Sequence, residues 1–159
     1  MGNIKKKVSE KALIDMLVQF YQQQNMQIFR EVPFLNRNID IILTNEFLKE
    51  TLAIEAKVSW WKKVIDQAKI TLLGVDKAYI AMPALKMKSL YKYRNILDQL
   101  GIGVISIECS NNNPQIEEIL PAIKSRYKIE SREKELKKTI YDGFYLSSER
   151  MEIISSHDK

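Results

Sequence analysis

Asp40, Glu55 and Lys57 are the residues of this chain whose types and spacing bear most directly on chemistry. Asp40 interrupts the apolar run Ile39, Ile41, Ile42, and a carboxylate in such a setting is costly unless a cation or hydrogen-bond donors compensate it. Glu55 and Lys57 are two residues apart in a β-rich stretch, so in a strand they share a face, while Ile54, Ala56 and Val58 take the other. If the two stretches pair as a hairpin, a register exists that brings Asp40 and Glu55 together with Lys57 one step along. Two carboxylates suit a hard cation, Mg2+ with Mn2+ as a substitute. Such a metal polarises a phosphoryl oxygen and lowers the pKa of a bound water, and an ammonium orients that water or stabilises developing charge. Phosphodiester hydrolysis is the natural use. Glu-x-Lys alone equally fits an ordinary solvent-facing strand, and the isoleucines around Asp40 are what favour a site.

The elements that must position these residues follow from periodicity. Apolar residues at three- and four-residue steps predict a helix over residues 4–23. Residues 28–35, 39–44 and 51–58 read as an antiparallel meander. Helical spacing resumes at Trp61, Val64, Ile65, Ala68 and Leu72, and a short strand over 78–82 closes at Pro83. A second unit follows, with a helix over 85–100 stopped by Gly101 and a strand over 102–107. Residues 117–140 read as one or two charged helices before a tail over 143–159. The expected fold class is α/β, a mixed central sheet of about five strands, part meander and part parallel crossovers, flanked by helices. Residues 1–110 form the expected core, and 111–159 a charged helical extension packed on the same domain.

Composition narrows the chemistry further. The chain has 159 residues, with 45% hydrophobic and 28% charged, enough for one sizeable core. Cys109 is the single cysteine, which excludes an internal disulfide and a zinc site of paired thiolates. The single histidine, His157, is the third residue from the C-terminal end of the sequence, which disfavours serine–histidine and cysteine–histidine schemes. No apolar run reaches the roughly 20 residues of a membrane span, so a cytoplasmic protein without membrane partners is expected. Nothing suggests an organic cofactor. The formal net charge of +5 favours polyanionic partners.

Arg37, Asn38, Ile39, Asp40 followed by Ile54, Glu55, Ala56, Lys57, Val58 resembles the PD-(D/E)XK nuclease superfamily, which includes restriction enzymes and Holliday-junction resolvases. The resemblance spans about residues 8–107 and extends to element order, implying a restriction-endonuclease-like core. It implies Asp40 and Glu55 as metal ligands and Lys57 as the water-orienting or charge-stabilising residue. Glu10 matches a further acidic ligand that some members carry on the first helix; as a residue just after Ser9, it equally fits a helix-capping role. Gln67 matches a glutamine recurring in several branches. Ile39 stands where the motif has proline, and Thr71 where a helicase-associated exonuclease branch has tyrosine. An endonuclease acting on DNA, in repair, recombination, restriction or a mobile element, is therefore the expected function.

Around this centre, Trp60 and Trp61 are expected to divide, one into the core and the other free to stack a base. Arg37, Lys62, Lys63, Lys86, Lys88, Lys92 and Arg94 are candidate nucleic-acid contacts, with Tyr91 and Tyr93 interleaved; a solvated helix face explains the later cluster as well. A homodimer, or a protein partner docked on the charged segment 117–140, is compatible with the pattern. The alternative to a nuclease is a non-catalytic nucleic-acid-binding or complex-assembly protein on the same scaffold.

Overall fold

The computed structural model describes residues 8–46, 48–109 and 113–145. Helix α1, Glu10–Gln22, starts where Ser9 Oγ accepts a hydrogen bond from the Ala12 amide at 3.1 Å, and it buries Leu13 and Leu17 completely. There follow β1 (Gln27–Phe34), β2 (Arg37–Thr44), β3 (Leu52–Ala56), α2 (Trp61–Thr71) and β4 (Lys77–Pro83). A 3-10 helix (Ala84–Lys92) leads into α3 (Arg94–Leu100), then β5 (Gly103–Glu108), β6 (Gln115–Leu120) and α4 (Glu130–Ile140). The expected tail over 143–159 lies outside the described residues from 146 onward, His157 included, as do residues 4–7 of the first helix. Among the described residues no helix is long and apolar enough to cross a membrane.

The strands form one mixed sheet in chain order, β1 to β6. Strands β1, β2 and β3 are the expected antiparallel meander, and β3, β4 and β5 run parallel through helical crossovers. The sheet has six strands where the sequence predicts about five. Residues 115–120 are not helical: they pair antiparallel with β5, with a register shift at Val104/Ile105. Ile116, Ile119 and Leu120 have the three- and four-residue spacing of a helix, but β5 otherwise leaves a row of unpaired peptide groups, and pairing satisfies them. The charged helix therefore begins only at Glu130. The helix expected over 85–100 is likewise broken at Tyr93, where φ is −114°, and Gly101 closes α3 in the left-handed conformation at φ +73°.

Two cores lie on opposite faces. Helix α1 covers Ile41, Leu43, Ile54, Ala56, Ile105 and Ile107. The other face holds α2, α3 and α4 against Val32, Ile42, Ala53, Ile80 and Val104. Ile39 and Ile42 both join this second core although they are three apart, so strict alternation breaks between them. Asp40 lies in that break, opposite Glu31, whose φ of +50° departs from extended backbone. At the far end of the sheet, residues 121–129 are stitched down: the Ser125 amide donates to the Asp76 carbonyl at 2.6 Å and Lys128 pairs with the nearly buried Asp76 carboxylate.

Candidate functional site

The β2–β3 pairing places Ile41 opposite Ile54 and Ile42 opposite Ala53, so one step further Asp40 faces Glu55. The approach of Asp40 to Glu55 expected from the hairpin is present, but Lys57, expected on the same face as Glu55, is tied to α1 through Glu10 while Glu55 is tied to α2 through Thr71. Asp40 Oδ2 accepts the Ala56 amide at 2.8 Å. Burial, and then the charge of Glu55, push its pKa up from the usual carboxylate range to about 7, against the lowering effect of the Ala56 amide. Glu55 is fully buried. Its Oε1 accepts Arg37 Nη1 at 2.9 Å and the Thr71 hydroxyl at 2.9 Å. Its Oε2 is buried with no hydrogen-bond partner among the described residues. A proton on Asp40 supplies Glu55 with a donor, one reason the acid form of Asp40 is favoured.

Arg37 was expected to contact nucleic acid. Its guanidinium instead turns inward, donating to Glu55, to the Gln67 carbonyl at 3.2 Å and to the Thr71 hydroxyl at 3.2 Å. Gln67 thus joins the network through its backbone carbonyl. Thr71, noted in the sequence only as standing where one branch has tyrosine, belongs to the same hydrogen-bond network. Its signal was a polar residue four after Gln67 on the buried stripe of α2.

Lys57 continues β3 past its last paired residue, its amide donating to the Ala81 carbonyl at 3.0 Å. Its ammonium is 3.0 Å from Glu10 Oε1 on α1. Glu10 is therefore brought to Lys57, and among the described residues no group of three His, Cys, Asp or Glu side chains is arranged to hold a metal. Asp40 and Glu55 are the pair of oxygen donors that could hold a hard cation: burial raises the pKa of Asp40, and Glu55 Oε2 has no hydrogen-bond partner among the described residues.

The two tryptophans divide as expected. Trp61 is 4% exposed, donates from Nε1 to Ser89 Oγ at 2.9 Å, and stacks on Tyr93 at 5.7 Å between centroids. Trp60 is 67% exposed, and Lys63 Nζ lies 5.2 Å from its ring. Lys62, Lys63, Lys86, Lys88 and Lys92 are exposed, and Arg94 is exposed but paired with Asp98 at 3.1 Å.

No family model matches the chain, and no curated protein does. Among solved structures, the SPO1766 protein of unknown function from Silicibacter pomeroyi is similar over 95% of this chain and 94% of its own, with a TM-score of 0.57 at 13% identity. The Pyrococcus furiosus SfsA in complex with Ca2+ matches with a TM-score of 0.38 at 10% identity, covering 70% of this chain and 60% of that one. The first likeness establishes a shared mixed α/β fold along nearly the whole chain.

Proposed function

We propose that this chain is a divalent-metal-dependent nuclease of the PD-(D/E)XK type, with a restriction-endonuclease-like core, acting on DNA. The observation that carries the reading is the opposed pair of Asp40 and Glu55, with a buried Glu55 oxygen that has no partner among the described residues and with the Asp40 pKa raised to about 7. Groups of this kind lose energy in the folded chain and regain it on meeting a cation. Asp40 and Glu55 would hold Mg2+ or Mn2+. A bound hard dication supplies neutralisation of the phosphoryl oxygens and acidification of a water.

In the hydrolysis, water oxygen forms the new bond to phosphorus, the ester bond from phosphorus to a sugar oxygen breaks, and that oxygen takes up a proton. Lys57, steadied by Glu10 at 3.0 Å, orients the attacking water or stabilises negative charge at phosphorus. Arg37 and Thr71 hold the Glu55 carboxylate in place. Arg37 also favours a second reading, because its pairing with Glu55 is what a decayed site retained for stability would contain; that chain would bind nucleic acid without cutting it.

The test is incubation of the purified protein with linear, supercoiled, single-stranded and branched DNA in Mg2+, Mn2+ or EDTA, with calorimetric titration of Mn2+ in parallel. Cleavage that requires metal and falls by roughly 100-fold or more in Asp40→Asn and in Lys57→Ala supports the assignment. Absence of both cleavage and Mn2+ binding, or cleavage unchanged in both variants, overturns it.

A further inference from the structure

We propose that the surface beside the carboxylate pair binds an unpaired nucleic-acid strand, with Trp60 as the platform on which a base stacks. This names the substrate class of the proposed nuclease site and rests on that reading only for the consequence that the bound strand is cut.

The location follows from topology. Strands β3 and β4 are parallel, so the segments after them, residues 57–60 and 84–92, leave from the same end of the sheet. Asp40 faces Glu55 at that end. Ligands of open sheets with parallel strands gather outside the carboxyl ends of those strands. Trp61 joins the two segments through its hydrogen bond to Ser89 and its stack on Tyr93.

Trp60 does something different. It is held at φ +76°, a left-handed conformation that bulky residues seldom adopt, with two thirds of its surface in solvent. Core packing requires neither feature. Lys63 Nζ lies 5.2 Å from the Trp60 ring, and the two segments at this end of the sheet, residues 60–63 and 84–94, contain Lys62, Lys63, Lys86, Lys88 and Lys92, with Arg94 paired to Asp98, and no acidic residue of their own. Tyr91 adds a second ring, 74% exposed.

A partner for this surface must be a polyanion that also offers flat π faces. Phosphates answer the lysines through counterion release, and bases answer the indole. A duplex conceals its base faces in the stack, so the indole reaches a base only where the strand is unpaired. An acidic polypeptide satisfies the lysines and leaves the indole without a counterpart.

The experiment uses the full chain in EDTA, where metal-dependent cleavage cannot intervene, and follows the anisotropy of a fluorescein-labelled oligothymidylate and of a duplex of the same length. The single strand is expected to bind more tightly. Trp60→Ala weakens it about tenfold and changes duplex binding little, while Trp60→Phe retains most of the affinity. Lys88→Gln combined with Lys92→Gln weakens both ligands and flattens the dependence on salt. Because Trp61 is 4% exposed, quenching of tryptophan emission by unlabelled oligothymidylate arises from Trp60 and disappears in Trp60→Phe.

The proposal is overturned if Trp60→Ala leaves single-strand binding unchanged or weakens duplex binding equally. Polyglutamate binding as tight as oligothymidylate also overturns it, in favour of an acidic protein partner. Intact binding in EDTA with neither cleavage nor Mn2+ binding supports this assignment while removing the nuclease reading, so the two fail separately.

Discussion

Asp40 carries a cost that depends on pH. Its folded pKa of about 7 lies above the ordinary carboxylate value, so between those two values the folded chain binds more protons than the unfolded one. The contribution of Asp40 to stability is therefore fully present below the ordinary value and is lost as pH rises through about 7. Asn keeps an oxygen for the Ala56 amide and never ionises. In EDTA, Asp40→Asn is expected to stabilise the fold at pH ~8 by about 2 kcal/mol and to have little effect at pH ~4, read from urea midpoints. Arg37 acts in the opposite sense, because removing it takes the one cationic donor from the fully buried Glu55 among the described residues and leaves it the Thr71 hydroxyl and, when protonated, Asp40. Arg37→Ala is expected to cost about 3 kcal/mol by the same measurement, and a loss under ~0.5 kcal/mol would show that solvent reaches Glu55 freely.

At the scale of elements, the antiparallel pairing of β2 with β3 brings the two carboxylates together, and close approaches at the parallel strands set tolerances. A Cβ at Gly103, the first residue of β5, would lie 2.4 Å from the Tyr79 ring and 2.7 Å from the Ala122 amide nitrogen. The ring can turn, but the backbone of residues 121–122 cannot move without disturbing the stitched segment after β6. Gly103→Ala is expected to lower stability by about 2 kcal/mol, measured by denaturant unfolding. The junction of α2 with the 3-10 helix is more forgiving: Trp61→Phe keeps an aromatic face for Tyr93 and loses the bond to Ser89, an expected loss of about 1 kcal/mol with no change in metal binding by calorimetry.

For the whole molecule, residues 121–129 close one end of the sheet by hanging on Asp76 and its neighbours. Burial alone would raise the pKa of Asp76, but the Lys128 ammonium and the Thr51 amide outweigh it and hold the carboxyl below its usual value. A depressed carboxyl contributes stability that is present above the unfolded value and is lost as pH falls through the folded one. Lys128→Met is expected to speed hydrogen exchange at the Ser125 and Ile129 amides, which donate to Asp76 and Leu73, by about tenfold while leaving β4 amides unchanged. Equal acceleration in β4 would mean that the segment opens only with the whole domain.

Local pattern determined much of this protein. The meander, the helix after Lys57 and the division of Trp60 from Trp61 follow from strand alternation and helical spacing, because a side chain's face is decided by its immediate neighbours in sequence, and the facing of Asp40 to Glu55 follows from the register of the β2–β3 pair. Residues 115–120 and the inward turn of Arg37 were decided by tertiary structure. Helical spacing at Ile116, Ile119 and Leu120 gives way to the unpaired edge of β5, whose demand for hydrogen bonds is invisible to a local window. Arg37 reads as a surface charge until α2 carries Thr71 and the Gln67 carbonyl beside Glu55. The opposed carboxylates were thus legible as a pair, whereas the arginine and hydroxyl that hold one of them arrive from elements 18 and 16 residues away, and only folding sets that distance to zero.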